Sequence, residues 1–165
     1  MVTRLTCAVV ALISTASLAV PQQIPPELRG RWIVERLLPT STISCWDYTQ
    51  AKAIMIGTEI DYTADVLRWK DVTSPNATAH VRFITADEFH REYSGGGAND
   101  SQVTFDQLGI RASKLELIKV DHPRAHITGA TMEIPGDEVL VTSPNKIIFS
   151  VCNVYFQARR VAPRK

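Results

Sequence analysis

The sequence predicts a mainly β protein, namely a small antiparallel up-and-down β-barrel of about eight strands with short helical insertions. Runs in which apolar and polar residues alternate recur along the chain, and they are rich in β-branched and aromatic side chains. Turn-forming residues separate these runs, and no repeated strand–helix pattern indicates a parallel sheet. The length of 165 residues suits one domain with a single core.

The N-terminal stretch has the features of an export signal. Arg4 precedes a nearly continuous run of apolar or small residues, 5–20, which contains the small-x-small cleavage site Ser17-Leu18-Ala19. We therefore expect a signal peptide at 1–19, a secreted or periplasmic mature protein, and no integral membrane span after cleavage. A membrane anchor is the alternative, but polar residues within the run and the Pro-Gln-Gln after it disfavour an anchor.

Cleavage there would also set the charge and the cysteine content of the mature chain. Basic and acidic residues would be equal in number, without a block of like charge, which disfavours nucleic acid as a partner. Cys7 would be lost, and the remaining Cys45 and Cys152 are expected to form a disulfide in an exported protein. Closing a loop on the order of 100 residues would stabilise the fold by roughly 4 to 5 kcal/mol. The alternative is a pair of reactive thiols.

The domain is expected to span 28–161, after an extended and proline-rich leader at 20–27. Its first strand is predicted from Trp32 to Leu38, a stretch with β-branched and aromatic residues in which Trp32, Val34 and Arg36 alternate with Ile33, Glu35 and Leu37. Gly30 would let the backbone bend or approach a neighbour closely at the entry to this strand. Trp32 would be a large apolar anchor whose indole N–H needs a partner.

Gly30-x-Trp32 near the mature N-terminus resembles the opening motif of the lipocalin-like, or calycin, β-barrels. The resemblance implies that Trp32 closes one end of the barrel and that an arginine of the last strand, here Arg159, packs over it. It covers the first and last strands and the length between them, whereas the Thr-Asp-Tyr motif of lipocalins is missing. The segment 56–62 is also similar to an Ile-Gly-x-x-Ile-x-Tyr segment of exported bacterial proteins with cysteine-linked barrels.

A short helix and a hairpin are predicted next. Asp47 would cap the helix with Gln50 reaching back to it, and Gly57 would end it. The residues expected to face inward from this helix are Trp46, Ala53 and Ile54. Alternation at 58–62 and 66–70, around a turn at Ala64-Asp65, predicts the hairpin.

The middle of the chain is predicted to combine one strand with two capped helical segments. A loop at 73–76 precedes a strand at 79–84. Thr85 with Glu88 forms a capping box that opens a helix to Tyr93, and Thr104 with Gln107 forms another before a single turn. Between them, three consecutive glycines predict a flexible loop at 94–101.

The remaining strands are predicted at 114–120, around 126–128 and at 138–141. A turn at Ser143-Pro144-Asn145 leads into a final run, 146–160, that is too long for one ordinary strand. We therefore expect a bend or bulge near Cys152-Asn153.

The sequence gives little support to a metal site, a cofactor or catalysis. His122 and His126 have the spacing of two ligands on a helix, but Pro123 prevents a helix, and in an extended segment they would stand roughly 13 Å apart. Gly-x-Ser-x-Gly is absent, and the glycines at 95–97 lack the Lys-Ser/Thr of a phosphate-binding loop. Acid–base chemistry by carboxylates remains an alternative, although most of these acids fit caps or solvated faces. They are Asp47, Asp61, Asp65, Asp87, Glu88, Glu92, Asp100 and Asp106.

Two non-enzymatic functions are therefore favoured over an enzyme, and neither requires a cofactor. The first is a barrel that binds a small apolar or amphipathic molecule inside it. The side chains expected to contact this ligand are Ile60, Tyr62, Leu67, Trp69, Phe83, Phe89, Tyr93 and Phe149. The alternative is an exported inhibitor or envelope-associated protein with a filled barrel, which would contact a protein partner through the 94–101 loop.

Overall fold

The computed structural model describes residues 22–40, 46–94, 102–122 and 134–162. These ranges contain nine strands and two helices, so the protein is mainly β, as the sequence predicts. In chain order they are β1 (Gly30–Leu38), α1 (Tyr48–Met55), β2 (Glu59–Tyr62), β3 (Val66–Trp69), β4 (Val72–Pro75), β5 (Thr78–Thr85), α2 (Ala86–Tyr93), β6 (Lys114–Asp121), β7 (Glu138–Ser143), β8 (Lys146–Val151) and β9 (Val154–Arg160).

All nine strands form one antiparallel sheet in the order β4-β3-β2-β1-β9-β8-β7-β6-β5. Two up-and-down meanders, β1 to β4 and β5 to β9, meet where β1 pairs with β9. The two edge strands, β4 and β5, are separated in the chain only by Asn76 and Ala77. Both edges must therefore come together at this point, which curls the sheet into a half-barrel. The expected antiparallel barrel class is confirmed.

The segment before β1 joins the two edges of the curled sheet. Gln22 exchanges two backbone hydrogen bonds with Ala79 of β5, and the N–H of Ile24 donates to the carbonyl of Ala64, 2.8 Å away, in the β2–β3 turn. Ile24 and Leu28 are fully buried. This segment therefore contributes Ile24 and Leu28 to the core.

Each side of the sheet has its own apolar cluster. The inner cluster contains side chains from opposite halves of the sheet, including Leu67 of β3 and Ala79 of β5, so it lies inside the curl. The outer cluster combines alternate residues of β6 to β9, such as Ile148, with Phe89 of α2 and with the 102–112 segment. The sheet from β6 to β9 is therefore covered on both faces.

Helix α1 lies against the inner cluster. Its N-cap is Asp47, as predicted, and the Asp47 carboxylate accepts from the backbone N–H groups of Thr49 and Gln50. The buried residues of α1 are Ala51 and Met55, which are four apart and share one helix face. The expectation for Ala53 is wrong, because Ala53 lies on the exposed face. Trp46 and Ile54 are half-buried and pack against the inner cluster as expected.

Two predicted irregular segments turn out to be regular. Residues 73–76 are expected as a loop, but most of them belong to β4. The run 146–160 is two strands rather than one bent strand, because the chain reverses at Cys152 and Asn153, whose φ angles are 54° and 61°. Two consecutive positive φ angles match the right-handed twist of a hairpin. The strand expected around 126–128 lies outside the described residues.

Candidate functional site

The residues expected to contact a ligand inside the barrel do not form one site. Ile60, Tyr62, Leu67 and Phe149 belong to the inner cluster, and each is at most 2% exposed. Trp69 is half-buried at its margin, where its indole N–H donates to the Thr58 hydroxyl over 3.2 Å. These five side chains meet on the inner face, while the other three lie elsewhere.

The inner cluster is tightly packed around Tyr62. The Tyr62 hydroxyl donates to the carbonyl of Gly136 over 2.8 Å, and a Cβ at Gly136 would stand only 2.1 Å from the hydroxyl oxygen. Burial, and secondly the charge of Asp137, raises the pKa of Tyr62 well above its usual value. Tyr62 is therefore a neutral packing residue that ties β2 to the segment before β7.

Phe89 and Tyr93 lie on the outer side of the sheet, where their rings stack with centroids 4.6 Å apart. Phe89 also contacts the rings of Phe105 and Tyr155, at 5.1 Å and 6.4 Å. Burial, together with a hydrogen bond to Glu138, raises the pKa of Tyr93. Phe89 and Tyr93 therefore lie apart from the interior set, because α2 packs on the outer face.

Phe83 also fails to join the interior set. It is 62% exposed near the end of β5, and the ammonium group of Lys114 lies 5.0 Å from the centre of its ring. Of the 94–101 loop, the structure describes only Ser94, whose hydroxyl lies 2.8 Å from Nδ1 of His90. The proposed role of that loop therefore falls outside the described residues.

An arginine of β9 packs on Trp32, but it is Arg160 and not Arg159. The Arg160 guanidinium lies 4.2 Å from the centre of the Trp32 ring, because the two residues are direct partners in the β1–β9 pairing. Arg159 points to the other face and pairs with Glu35 over 2.6 Å. Gly30 has φ +116°, and a Cβ there would come within 3.1 Å of an Arg160 nitrogen. Gly30 and Trp32 therefore both lie next to this arginine, which is compatible with the roles expected for them from the sequence.

The Trp32 indole N–H has the partner that its burial requires. It donates to the carbonyl of Leu28 over 2.8 Å. The Arg160 side chain in turn donates to three backbone carbonyls, those of Glu27, Arg29 and Pro144. Trp32 and Arg160 thus fasten the 24–29 segment across the start of β1.

A cleft of about 470 Å³ lies on the outer face of the sheet, between the 108–112 segment and strands β1, β6, β7, β8 and β9. It is hereafter called the outer cleft. The twelve lining residues are Arg36, Leu108, Gly109, Ile110, Arg111, Ala112, Leu115, Thr142, Ser143, Lys146, Ile148 and Gln157. None of them is among the residues expected from the sequence to bind a ligand.

The outer cleft has an apolar floor. Leu108, Ile110, Leu115 and Ile148 are buried members of the outer cluster. They come from two strands and from the 102–112 segment, which a Thr104–Gln107 capping box orders as predicted. Gly109, with φ +72°, ends that turn and directs the chain back onto the sheet.

The polar lining of the outer cleft is basic. Arg36 Nη2 donates to Gln157 Oε1 over 2.8 Å, and Gln157 Nε2 donates to Glu35 over 3.4 Å. Arg111 and Lys146 also line the cleft and are exposed. Among the described residues, the lining contains three cationic side chains and no carboxylate. Its apolar floor and basic margin suit an amphipathic molecule.

Several titratable groups outside the cleft have structural partners. Asp47 and Glu88 cap α1 and α2, and hydrogen bonds from Thr85 lower the pKa of Glu88. His80 contacts Asp121 over 2.9 Å. Across the described ranges, no three His, Cys, Asp or Glu side chains lie close enough to hold a metal ion. The second histidine of the candidate pair, His126, lies outside the described residues.

Within the described part of the chain, no helix has the length and apolar character needed to cross a bilayer.

Comparison with known proteins finds no family model that matches the sequence, and no significant match among curated proteins or solved structures. The interpretation of the site therefore depends on its own geometry.

Proposed function

We propose that this protein is an exported, disulfide-linked and non-enzymatic β-barrel that binds a small amphipathic molecule in the outer cleft. The observation that carries the proposal is the cleft itself, whose volume of about 470 Å³ and buried apolar floor are typical of small-molecule sites. The inner face is a less suitable site, because Ile60, Tyr62 and Leu67 pack within one buried cluster.

The chemistry of the lining favours binding over catalysis. The twelve residues of the outer cleft include no carboxylate, histidine or cysteine that would serve as an acid, a base or a nucleophile of the usual kind. Ser143 and Thr142 are present, but Ser143 Oγ accepts from the Asn145 N–H and the Thr142 hydroxyl donates to the Lys146 carbonyl, so both stabilise the β7–β8 turn.

The export signal and the Cys45–Cys152 disulfide belong to the same proposal. Cys45 lies outside the described residues, but the next residue, Trp46, packs against the inner cluster, as does Cys152 at the β8–β9 turn. A bond between these cysteines would hold the segment before α1 against that turn. The proposed likeness to calycin barrels is supported by the contact of Arg160 with Trp32.

Ligand binding is tested by filling the outer cleft. Ala112 lines the cleft and is exposed, so Ala112→Trp should block it without disturbing the core. Ala53→Trp, at an exposed position of α1, is the matched control. The neutral fluorescent probe N-phenylnaphthylamine should bind the original protein and the Ala53→Trp variant, and lose most of its fluorescence enhancement with Ala112→Trp. Equal probe binding by all three proteins would refute the proposal.

The intact mass of the purified protein tests export and the disulfide. Intact mass should correspond to a chain that begins at Val20, and it should increase by two hydrogens on reduction. A mass that includes residues 1–19, or one that reduction leaves unchanged, would contradict the corresponding part of the proposal.

A further inference from the structure

We infer that the natural ligand of the outer cleft is an amphipathic organic anion, whose carboxylate-, sulfonate- or phosphate-type group is bound by Arg36, Arg111 and Lys146. This inference rests on the proposed function and specifies its ligand class. The size and the apolar floor of the cleft do not define this ligand class by themselves, because a purely apolar molecule would also fit them.

The charge of the cleft differs from that of the whole protein. The chain has a formal charge of only +1, whereas the described residues of the lining include three cations and no anion. The adjacent carboxylate of Glu35 does not neutralise them, since it pairs with Arg159 over 2.6 Å on β9. Uncompensated positive charge next to a water-poor apolar floor favours a ligand with negative charge.

Arg36 is held in a defined orientation for this role. Its guanidinium makes one side-chain hydrogen bond within the described residues, to Gln157, and Gln157 is itself only 8% exposed. A guanidinium has five N–H donors, so one such bond leaves an edge that can meet the two oxygens of an anion. Gln157 is therefore a positioning residue, which sets the direction of Arg36.

The arrangement also separates the two parts of the ligand. The buried side chains Leu108, Ile110 and Ile148 form the floor, while the long side chains of Arg111 and Lys146 extend from exposed positions. An apolar ring or chain would cover the floor, and the anionic group would remain at the margin, where part of its hydration is kept. This avoids the cost of burying an ion completely.

A matched pair of fluorescent probes tests the inference directly. Anilinonaphthalene sulfonate and N-phenylnaphthylamine share the same ring system, but only the first carries a sulfonate. The sulfonate should bind the outer cleft roughly tenfold more tightly at low salt, which is the effect of one charge-assisted hydrogen bond. That advantage should decrease as the salt concentration rises.

Charge-removing variants identify the groups responsible. In the triple variant Arg36→Gln, Arg111→Gln, Lys146→Gln, the affinity for the sulfonate should fall to that for the neutral probe, whose own affinity should not change. Lys52→Gln and Arg91→Gln, at exposed positions on the two helices, are the controls and should alter neither affinity. Thermal unfolding of each variant checks that the fold is retained.

The outcomes separate the inference from the proposed function. If Ala112→Trp affects neither probe, the outer cleft is not a binding site and both statements fail. If Ala112→Trp blocks both probes but they bind equally well, the cleft binds ligands and the inference of an anion is overturned. The inference is also overturned if the preference for the sulfonate persists in the Arg36→Gln, Arg111→Gln, Lys146→Gln triple variant.

Discussion

Replacing Arg160 should destabilise the protein far more than replacing its neighbour Arg159, although both are arginines at the end of one strand. Arg160 lies on the Trp32 ring at 4.2 Å and donates to three backbone carbonyls of the 27–29 and β7–β8 segments. Arg159 makes one ion pair, with Glu35, and its side chain is 52% exposed. The two positions differ in contacts rather than in chemistry.

The magnitudes follow from these contacts. A cation on an aromatic face contributes about 0.5 to 2 kcal/mol, and hydrogen bonds that involve a charged group contribute roughly 1.5 to 3 kcal/mol each before solvent exposure reduces them. Because Arg160 is only partly buried, we expect Arg160→Ala to lower the free energy of unfolding by about 2 to 4 kcal/mol. Arg159→Ala removes an exposed ion pair, so the expected loss is about 0.2 to 1 kcal/mol.

Urea denaturation measures both losses. Urea is uncharged, so it does not screen the charges, whereas guanidinium chloride is a salt and would screen them. Arg160→Lys should lie between Arg160→Ala and the original protein, because an ammonium keeps the charge but cannot serve three carbonyls in a plane. Equal losses for the two alanine variants, or a larger loss for Arg159→Ala, would refute the conclusion that Arg160 is the arginine that fastens the 24–29 segment over Trp32.

Three further predictions concern the packing and the charges of the sheet. Gly136→Ala should destabilise the protein by about 2 to 5 kcal/mol, measured in urea, because Gly136 has a positive φ and a Cβ there would collide with Tyr62. Gly57→Ala is the control, since Gly57 has a similar φ but open space around it, and it should cost only about 1 to 2 kcal/mol. Equal losses for the two variants would contradict this prediction. The Ser74 hydroxyl is fully buried without a hydrogen-bond partner in the described residues, so Ser74→Ala should leave thermal stability unchanged or raise it, and a clear loss would show that the hydroxyl is bonded. Burial, and secondly the charge of Glu27, raises the pKa of Glu116, so the folded state binds the proton more tightly and stability falls as the pH rises through that pKa. Glu116→Gln should therefore increase stability at pH 7 and have little effect below the usual pKa of 4.5, and a gain that does not vary with pH would refute this reasoning.

The features that the sequence predicts well are those encoded within a few residues. The capping box of Thr85 and Glu88 is confirmed with both of its hydrogen bonds, and α2 begins where that box places it. The β2–β3 hairpin is confirmed for the same reason, because alternation on both sides of a short turn defines it locally. The whole fold class follows from many such local signals.

Register between distant strands is not encoded locally, and the choice between Arg159 and Arg160 shows this. The two arginines are adjacent and chemically identical, so only the pairing of β1 with β9 decides which one faces Trp32. That pairing contains a bulge between Val34 and Arg36, which changes the alternation partway along the strand. A shift of one residue moves every side chain to the other face, and no pattern in one sequence fixes it.

The outer cleft could not be predicted for a related reason, although the sequence contains a signal for it. In β8, Ile147 faces the inner cluster and Ile148 the outer one, so the strand is apolar on both faces rather than alternating. A barrel with one solvated face does not need apolar side chains on both faces of a strand, whereas a sheet that is buried on both faces does. The run therefore indicates that a second layer covers the outside of the sheet, and α2 with the 102–112 segment forms that layer. The covering segment ends near Ala112, and its buried side chains Leu108 and Ile110 form the floor of the cleft together with Leu115 and Ile148 of the sheet. The proposed binding site therefore lies where this outer layer ends on the sheet.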